Sequence, residues 1–172
     1  MQRGNVAMTI SDYQLREARN SDRTVIGRLW RELMAYHRGL DPRFAVAADG
    51  EEKYLRHLQE MIRSRDARVL VAEEADSPVV IAYAIGEIQA RSPMAVPATY
   101  GFVSDIYVSA SWRHRGVGSA LVQDLKRWFV ARKATAMELY IADANPVAAE
   151  FWKSLGLTPF LRLMHTDLSS EE

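Results

Sequence analysis

The sequence predicts a mixed α/β domain, and three observations carry that prediction. Apolar residues recur at helical spacing in two early stretches, give way to a long region rich in Val, Ile and Tyr, and then return to alternating helix and strand. At 172 residues and 48% hydrophobic content, the chain has the size of one core rather than two. Beyond its middle a strand, a helix and a second strand follow one another, the pattern of a right-handed parallel crossover.

Each element has a local reason. Residues 13–18 read as the first strand. Ser21 and Asp22 offer N-cap chemistry to a helix whose apolar positions Val25, Ile26, Leu29, Trp30, Leu33 and Met34 form one face. Residues 39–50, with Asp41 and Pro42, break that pattern. A second helix is expected over 51–63, with Tyr54, Leu55, Leu58, Met61 and Ile62 at helical spacing. Residues 67–74 and 79–89 read as antiparallel strands joined through Asp76, Ser77 and Pro78. Pro93 and Pro97 make 91–98 a loop, and 99–109 is a third strand of the meander. Residues 116–132 are helical, with Val117, Leu121, Leu125 and Trp128 on one stripe, and 136–142 form the parallel partner strand. Asn145 as N-cap, Pro146 at the first helical position and Gly156 past the end frame a short helix. A last strand is expected over 160–168. Residues 1–10 read as a flexible N-terminal segment and 11–170 as a single domain, without repeats or low-complexity stretches.

Composition narrows the chemistry. With 22 Lys and Arg against 22 Asp and Glu, the chain lacks the basic excess of a dedicated nucleic-acid binder. It has no cysteine, which excludes a disulfide scaffold, a thiolate metal site and a cysteine nucleophile together. No apolar run reaches the ~20 residues of a membrane span, and the first eight residues lack a signal-peptide apolar core. The expectation is a cytoplasmic protein with no metal, no nucleic-acid partner and no membrane partner. Edge strands leave a homodimer open.

A ligand site is expected at the carboxyl end of strand 99–109, where the β-α-β crossover begins. There Arg113-His114-Arg115-Gly116-Val117-Gly118 meets a helix start with unpaired N–H groups and a positive dipole end, which suits a phosphate or pyrophosphate. A glycine turn alone also serves any tight strand-to-helix junction. It is not a dinucleotide fingerprint, because the third glycine position holds Leu121, nor a Walker A loop. The full segment resembles the R/Q-x-x-G-x-G/A pyrophosphate loop of the GNAT superfamily of N-acetyltransferases. A second block running from Asn145-Pro146-Val147-Ala148 through Phe151-Trp152 to Gly156-Leu157 resembles that family's N-x-x-A-x-x-F-Y-x-x-x-G-F. The resemblance extends over residues 13–168.

The resemblance implies a central mixed sheet of about six or seven strands flanked by four helices, and acetyl-CoA as cosubstrate. It implies that backbone N–H groups of Arg113, His114, Arg115, Gly116, Val117, Gly118 and Ser119 hold the coenzyme pyrophosphate, with the Arg113 and Arg115 side chains adding charge-assisted contacts. The main chain of Ile106, Tyr107 and Val108 would run beside the pantetheine arm, and the N–H at Val108 would polarise the thioester carbonyl. Asn145, Phe151 and Trp152 would contact the coenzyme from across the gap. Trp152 stands beside Phe151 where many relatives carry a tyrosine that protonates the departing thiolate.

Transfer to an amine needs a neutral amine, and at pKa about 10.4 only about one in 2,500 is neutral at pH 7, a cost near ~4.6 kcal/mol. A base is therefore expected. Strand alternation puts Val103, Asp105 and Tyr107 on one face and Ser104, Ile106 and Val108 on the other. Relatives often carry the acid at the place of Ser104, so either a bulge turns Asp105 inward or Glu87 or His37 serves. Indole is not a usable acid, which leaves thiolate departure unaided, proton return by water, or Tyr140 as donor. The acceptor, a small-molecule or peptide amine, is not encoded in any motif. Arg38, Arg43 and Arg91 would favour an acidic one unless they are solvated loop cations.

Overall fold

The computed structural model describes residues 12–96, 98–166 and 168. Residues 1–10, expected to be a flexible segment, lie outside them. The chain divides into two compact units between Tyr140 and Ile141.

The first unit carries one five-stranded sheet in sequential order. It comprises β1 (Tyr13–Glu17), β2 (Ala67–Glu74), β3 (Val80–Ala90), β4 (Thr99–Val108) and β5 (Met137–Leu139). The first four are antiparallel to their neighbours, and β5 runs parallel to β4 through Gly101–Val103. The β-α-β crossover expected from the sequence is therefore present. β5 is shorter than the strand predicted over 136–142.

Helices cover both faces. On one, α1 (Arg23–Leu40) and α2 (Gly50–Arg63) pack Ile26, Leu29, Trp30, Leu33, Leu58 and Met61 against Val69, Val71, Tyr83, Ile85 and Tyr107. Full burial of each such side chain contributes about 1.5–3 kcal/mol, which is what fixes the amphipathic helices to the sheet. On the other face, α3 (Val117–Ala131) buries Val117, Leu121, Leu125 and Phe129. It lies so close to the sheet that a Cβ at Gly101 would stand 2.3 Å from the Phe129 ring, so only glycine fits there.

Asp22 departs from its expected role. It stands at the N-cap of α1 but makes no capping bond. Its carboxylate instead takes a fork from Arg16 at 2.7 and 2.9 Å, which holds it below the usual carboxylate range, while Arg16 also reaches Glu73. The Asp22 carboxylate also accepts the Arg19 N–H at 2.6 Å, capping the short turn before α1, so the acid ties β1 to β2 and α1.

The second unit contains α4 (Pro146–Ser154). The Asn145 side chain accepts from the Ala148 N–H at 3.1 Å, the N-cap that the sequence predicts. The predicted final strand is a correction: residues 157–166 and 168 form no strand. A strand exists through its ladder, and here Phe160, Leu161, Leu163 and Met164 stand exposed instead. With four α-helices and five strands among the described residues, the strand count falls below the expected six or seven.

Candidate active site

The site is built around an irregularity in β4. Asp105 pairs with Ile85 and Val103 with Gly86, so Ser104 has no counterpart on β3. This extra residue is a bulge, and a bulge reverses the alternation beyond it. Val103 consequently faces α3 with Gly86 and Gly101, while Asp105 and Tyr107 face α1 and α2. The predicted sharing of one face by Val103, Asp105 and Tyr107 is corrected in this way.

Asp105 is held from two elements. Tyr54 of α2 donates its hydroxyl to Oδ2 at 3.0 Å, and the Tyr54 ring stacks on Trp30 of α1 with centroids 4.3 Å apart. The Tyr83 hydroxyl is buried in the field of both, without a well-formed hydrogen bond of its own. Burial, against the opposing Tyr54 hydrogen bond and with a smaller contribution from the Glu87 charge, pushes the Asp105 carboxyl up to about 7. A carboxyl that exchanges its proton near neutrality has the property a general base needs. The same burial and the Asp105 charge drive the Tyr54 hydroxyl well up, so it remains a donor.

Beyond Val103 the outer edge of β4 has no partner strand among the described residues. The Ser109 N–H donates to the Ile81 carbonyl at 2.9 Å, on the β3 side. By antiparallel alternation, the main-chain groups of Ile106 and Val108 then point to the open edge. Tyr107 lies between them with its ring toward α1, where its hydroxyl donates to Glu32 at 3.0 Å. The edge thus offers the backbone of residues 106 and 108 to an extended ligand.

The glycine turn closes this end. Gly116 takes φ of +80° at the N-cap of α3, and His114 takes φ of +60°. These left-handed steps fold the turn so that successive N–H groups converge, an anion-binding geometry. The first α3 bond runs from the Ala120 N–H to the Gly116 carbonyl at 2.9 Å, leaving the N–H groups of Val117, Gly118 and Ser119 without intrahelical acceptors. Arg113 folds back, its Nε donating to the Val108 carbonyl at 3.1 Å and its guanidinium lying over Tyr107, while Arg115 lies over Trp112. A Cβ at Gly116 would come within 3.7 Å of the Tyr13 hydroxyl.

The remaining candidates are distributed unevenly. Tyr140 follows the end of β5, is 84% exposed, and meets Phe102 edge-on at 5.2 Å. Glu87 lies opposite Phe102, on the Asp105 face. His37 contacts the Phe44 ring at 5.3 Å, and burial lowers its pKa. Arg43 is ion-paired with Asp41 and Arg91 with Glu138, whereas Arg38 is exposed. In the second unit Asn145 and Trp152 are buried, and the Phe151 and Trp152 rings meet at 5.0 Å. Sequence reasoning missed the role of Tyr54, which helical spacing reads as core; the hydroxyl on a buried aromatic was the available signal. Among the described residues there is no metal-ligating cluster and no helix long and apolar enough to cross a membrane.

A family model described as the acetyltransferase (GNAT) family matches residues 28–157. No curated protein sequence matches. Among solved structures, a mutant of the BH1408 protein from Bacillus halodurans is similar with a TM-score of 0.80 at 21% identity, covering 90% of this chain and 99% of that one. Glucosamine-6-phosphate N-acetyltransferase from Arabidopsis thaliana gives 0.67 at 18% identity, covering 91% and 99%. The aminoglycoside N-acetyltransferase AAC(6')-Iy in complex with CoA gives 0.72 at 17% identity, covering 96% and 100%.

Proposed function

The chain belongs to the GNAT family of acetyltransferases, and from that premise we propose that it transfers the acetyl group of acetyl-CoA directly to a primary amine. The observation that carries the reading is the conjunction, in one unit, of an open β4 edge, a glycine turn with free N–H groups, and a buried carboxyl titrating near 7. The names of the similar structures, which include N-acetyltransferases and a CoA complex, agree with it.

In this mechanism the N–H groups of residues 113–119 hold the coenzyme pyrophosphate. Arg113 exchanges the Val108 carbonyl for a phosphate oxygen, and Arg115 adds a second cation. The backbone of Ile106, Tyr107 and Val108 aligns the pantetheine arm, and the Val108 N–H polarises the thioester carbonyl. Asp105, directly or through one water, takes the proton of the acceptor ammonium or of the attacking nitrogen. The nitrogen forms its bond to the acyl carbon and the C–S bond breaks, releasing the coenzyme as thiolate. A thiol of pKa about 8.5 leaves with little assistance, so proton return falls to water or to Tyr140. Asn145, Phe151 and Trp152 keep a coenzyme-binding role on the strength of their motif alone. The workplace is the cytoplasm and the cosubstrate is acetyl-CoA, without a metal.

With no cysteine in the chain, no thioester enzyme intermediate is available. Incubation with acetyl-CoA in the absence of amine should leave the intact protein mass unchanged. An acetyl adduct that amine then removes would replace direct transfer by a two-step route.

A further inference from the structure

The acceptor's charge can be read from the sheet face on which Asp105 lies. Moving from the bulge toward the start of β4, this face presents Phe102 opposite Glu87 and Tyr100 opposite Gln89. Ile85, which pairs with Asp105, is two residues from Glu87 on β3. The two carboxylates are therefore diagonal neighbours across adjacent strands, a relation that puts them roughly 7–8 Å apart. Glu87 is half-buried and pairs with no cation among the described residues.

Aromatic rings flank the acids. Phe102 meets Tyr140 edge-on at 5.2 Å and Tyr100 at 6.5 Å, so the three form a continuous strip. At the far end the strip already holds one cation: the Arg91 guanidinium lies 4.5 Å from the Tyr100 ring centroid. Arg91 is ion-paired with Glu138 and so contributes little net charge to the face. Arg43, on the loop after α1, is likewise neutralised by Asp41. Two of the three cations that would favour an acidic acceptor are thus spent within the protein, Arg38 standing exposed on α1, while an uncompensated carboxylate sits one diagonal step from the base.

We propose that the acceptor is a dication or polycation, an amine bearing a second ammonium or guanidinium group that Glu87 binds against Phe102 while the reacting nitrogen lies at Asp105. The inference rests on the transferase reading above and deepens it. One cationic centre gives up its proton and attacks; the other keeps its charge and is fixed by opposite charge and by the negative faces of the rings. A carboxylate on the acceptor near the reacting nitrogen would face two acids and be rejected. The separation of the acids selects acceptors whose nitrogens are a few carbon atoms apart.

Calorimetric titration of the protein–coenzyme A complex with diaminobutane, aminobutane and aminobutanoate tests this. The diamine is expected to bind about tenfold tighter than the monoamine, with aminobutanoate weakest. Glu87→Gln should abolish the diamine's advantage over aminobutane, so that the ratio of the two affinities falls to about one. Equal binding of diamine and monoamine, or an advantage that survives in Glu87→Gln, overturns the dication class while leaving amine acetylation standing. If the wild-type protein binds acetyl-CoA yet acetylates none of the amines, the transferase reading fails and this inference falls with it.

Discussion

Replacing Asp105 with Asn separates the cost of the buried carboxyl from its use. Asn keeps a carbonyl oxygen to accept from the Tyr54 hydroxyl, so the local geometry is preserved. Burial raises the Asp105 pKa from its ordinary 3.8 to about 7. Because the folded-state value is the higher one, the unfolded chain releases this proton first, and the native state loses stability as pH climbs from about 4 to about 7. The full penalty, carried above pH 7, is about 4 kcal/mol; at pH 4 it is less than about 1 kcal/mol. Urea denaturation of both proteins at pH 4 and pH 8 should show the variant gaining about 3 to 4 kcal/mol on the wild type between the two conditions. The same variant should lose most of its acetyl transfer at neutral pH, with partial recovery at high pH where the amine supplies its own free base. A stability difference that does not change with pH would refute the burial argument, and an unaltered pH–rate profile would refute the base assignment.

Other consequences follow from the same geometry. Tyr54→Phe removes the hydrogen bond that favours the Asp105 carboxylate, so the midpoint of the pH–rate profile should move upward by about one unit; an unmoved midpoint would separate Tyr54 from the base. Gly118→Trp should abolish acetyl-CoA binding in calorimetry while circular dichroism stays native, because its bulk fills the turn at the α3 start; retained affinity would remove the pyrophosphate assignment. Gly101→Ala drives a methyl into the Phe129 ring and should cost about 1–3 kcal/mol in urea unfolding. A loss within about 0.5 kcal/mol would mean that α3 shifts freely on the sheet.

Much of this was legible from periodicity. The buried faces of α1 and α2, the meander and the crossover all follow from positions of apolar residues, because burial dominates where an element faces one way. The Ser104 bulge was foreseen only as one of two options, since a single unpaired residue leaves no periodic trace and its consequence for Val103 needs the register against β3. Asp22 is misread for a related reason: its sequence position offers a cap, but the Arg16 guanidinium that it binds is also held by Glu73, a contact that exists only once β1 has paired with β2. The stretch 160–168 has the composition of a strand, yet strand formation depends on a neighbour that the segment itself does not encode. For the site, the glycine turn is a local signal and was readable. The coupling of Tyr54 to Asp105 spans elements far apart in sequence and was not.

The absence of cysteine makes the central claim directly measurable. A thiol reagent added to the protein, acetyl-CoA and an amine sees only released coenzyme A, because the chain contributes no thiol. The account predicts thiol release that requires the amine, matches acetylated product one for one, and rises with pH through a step near 7 as Asp105 loses its proton. Coenzyme bound without amine-dependent thiol release across a panel of mono- and diamines would contradict it.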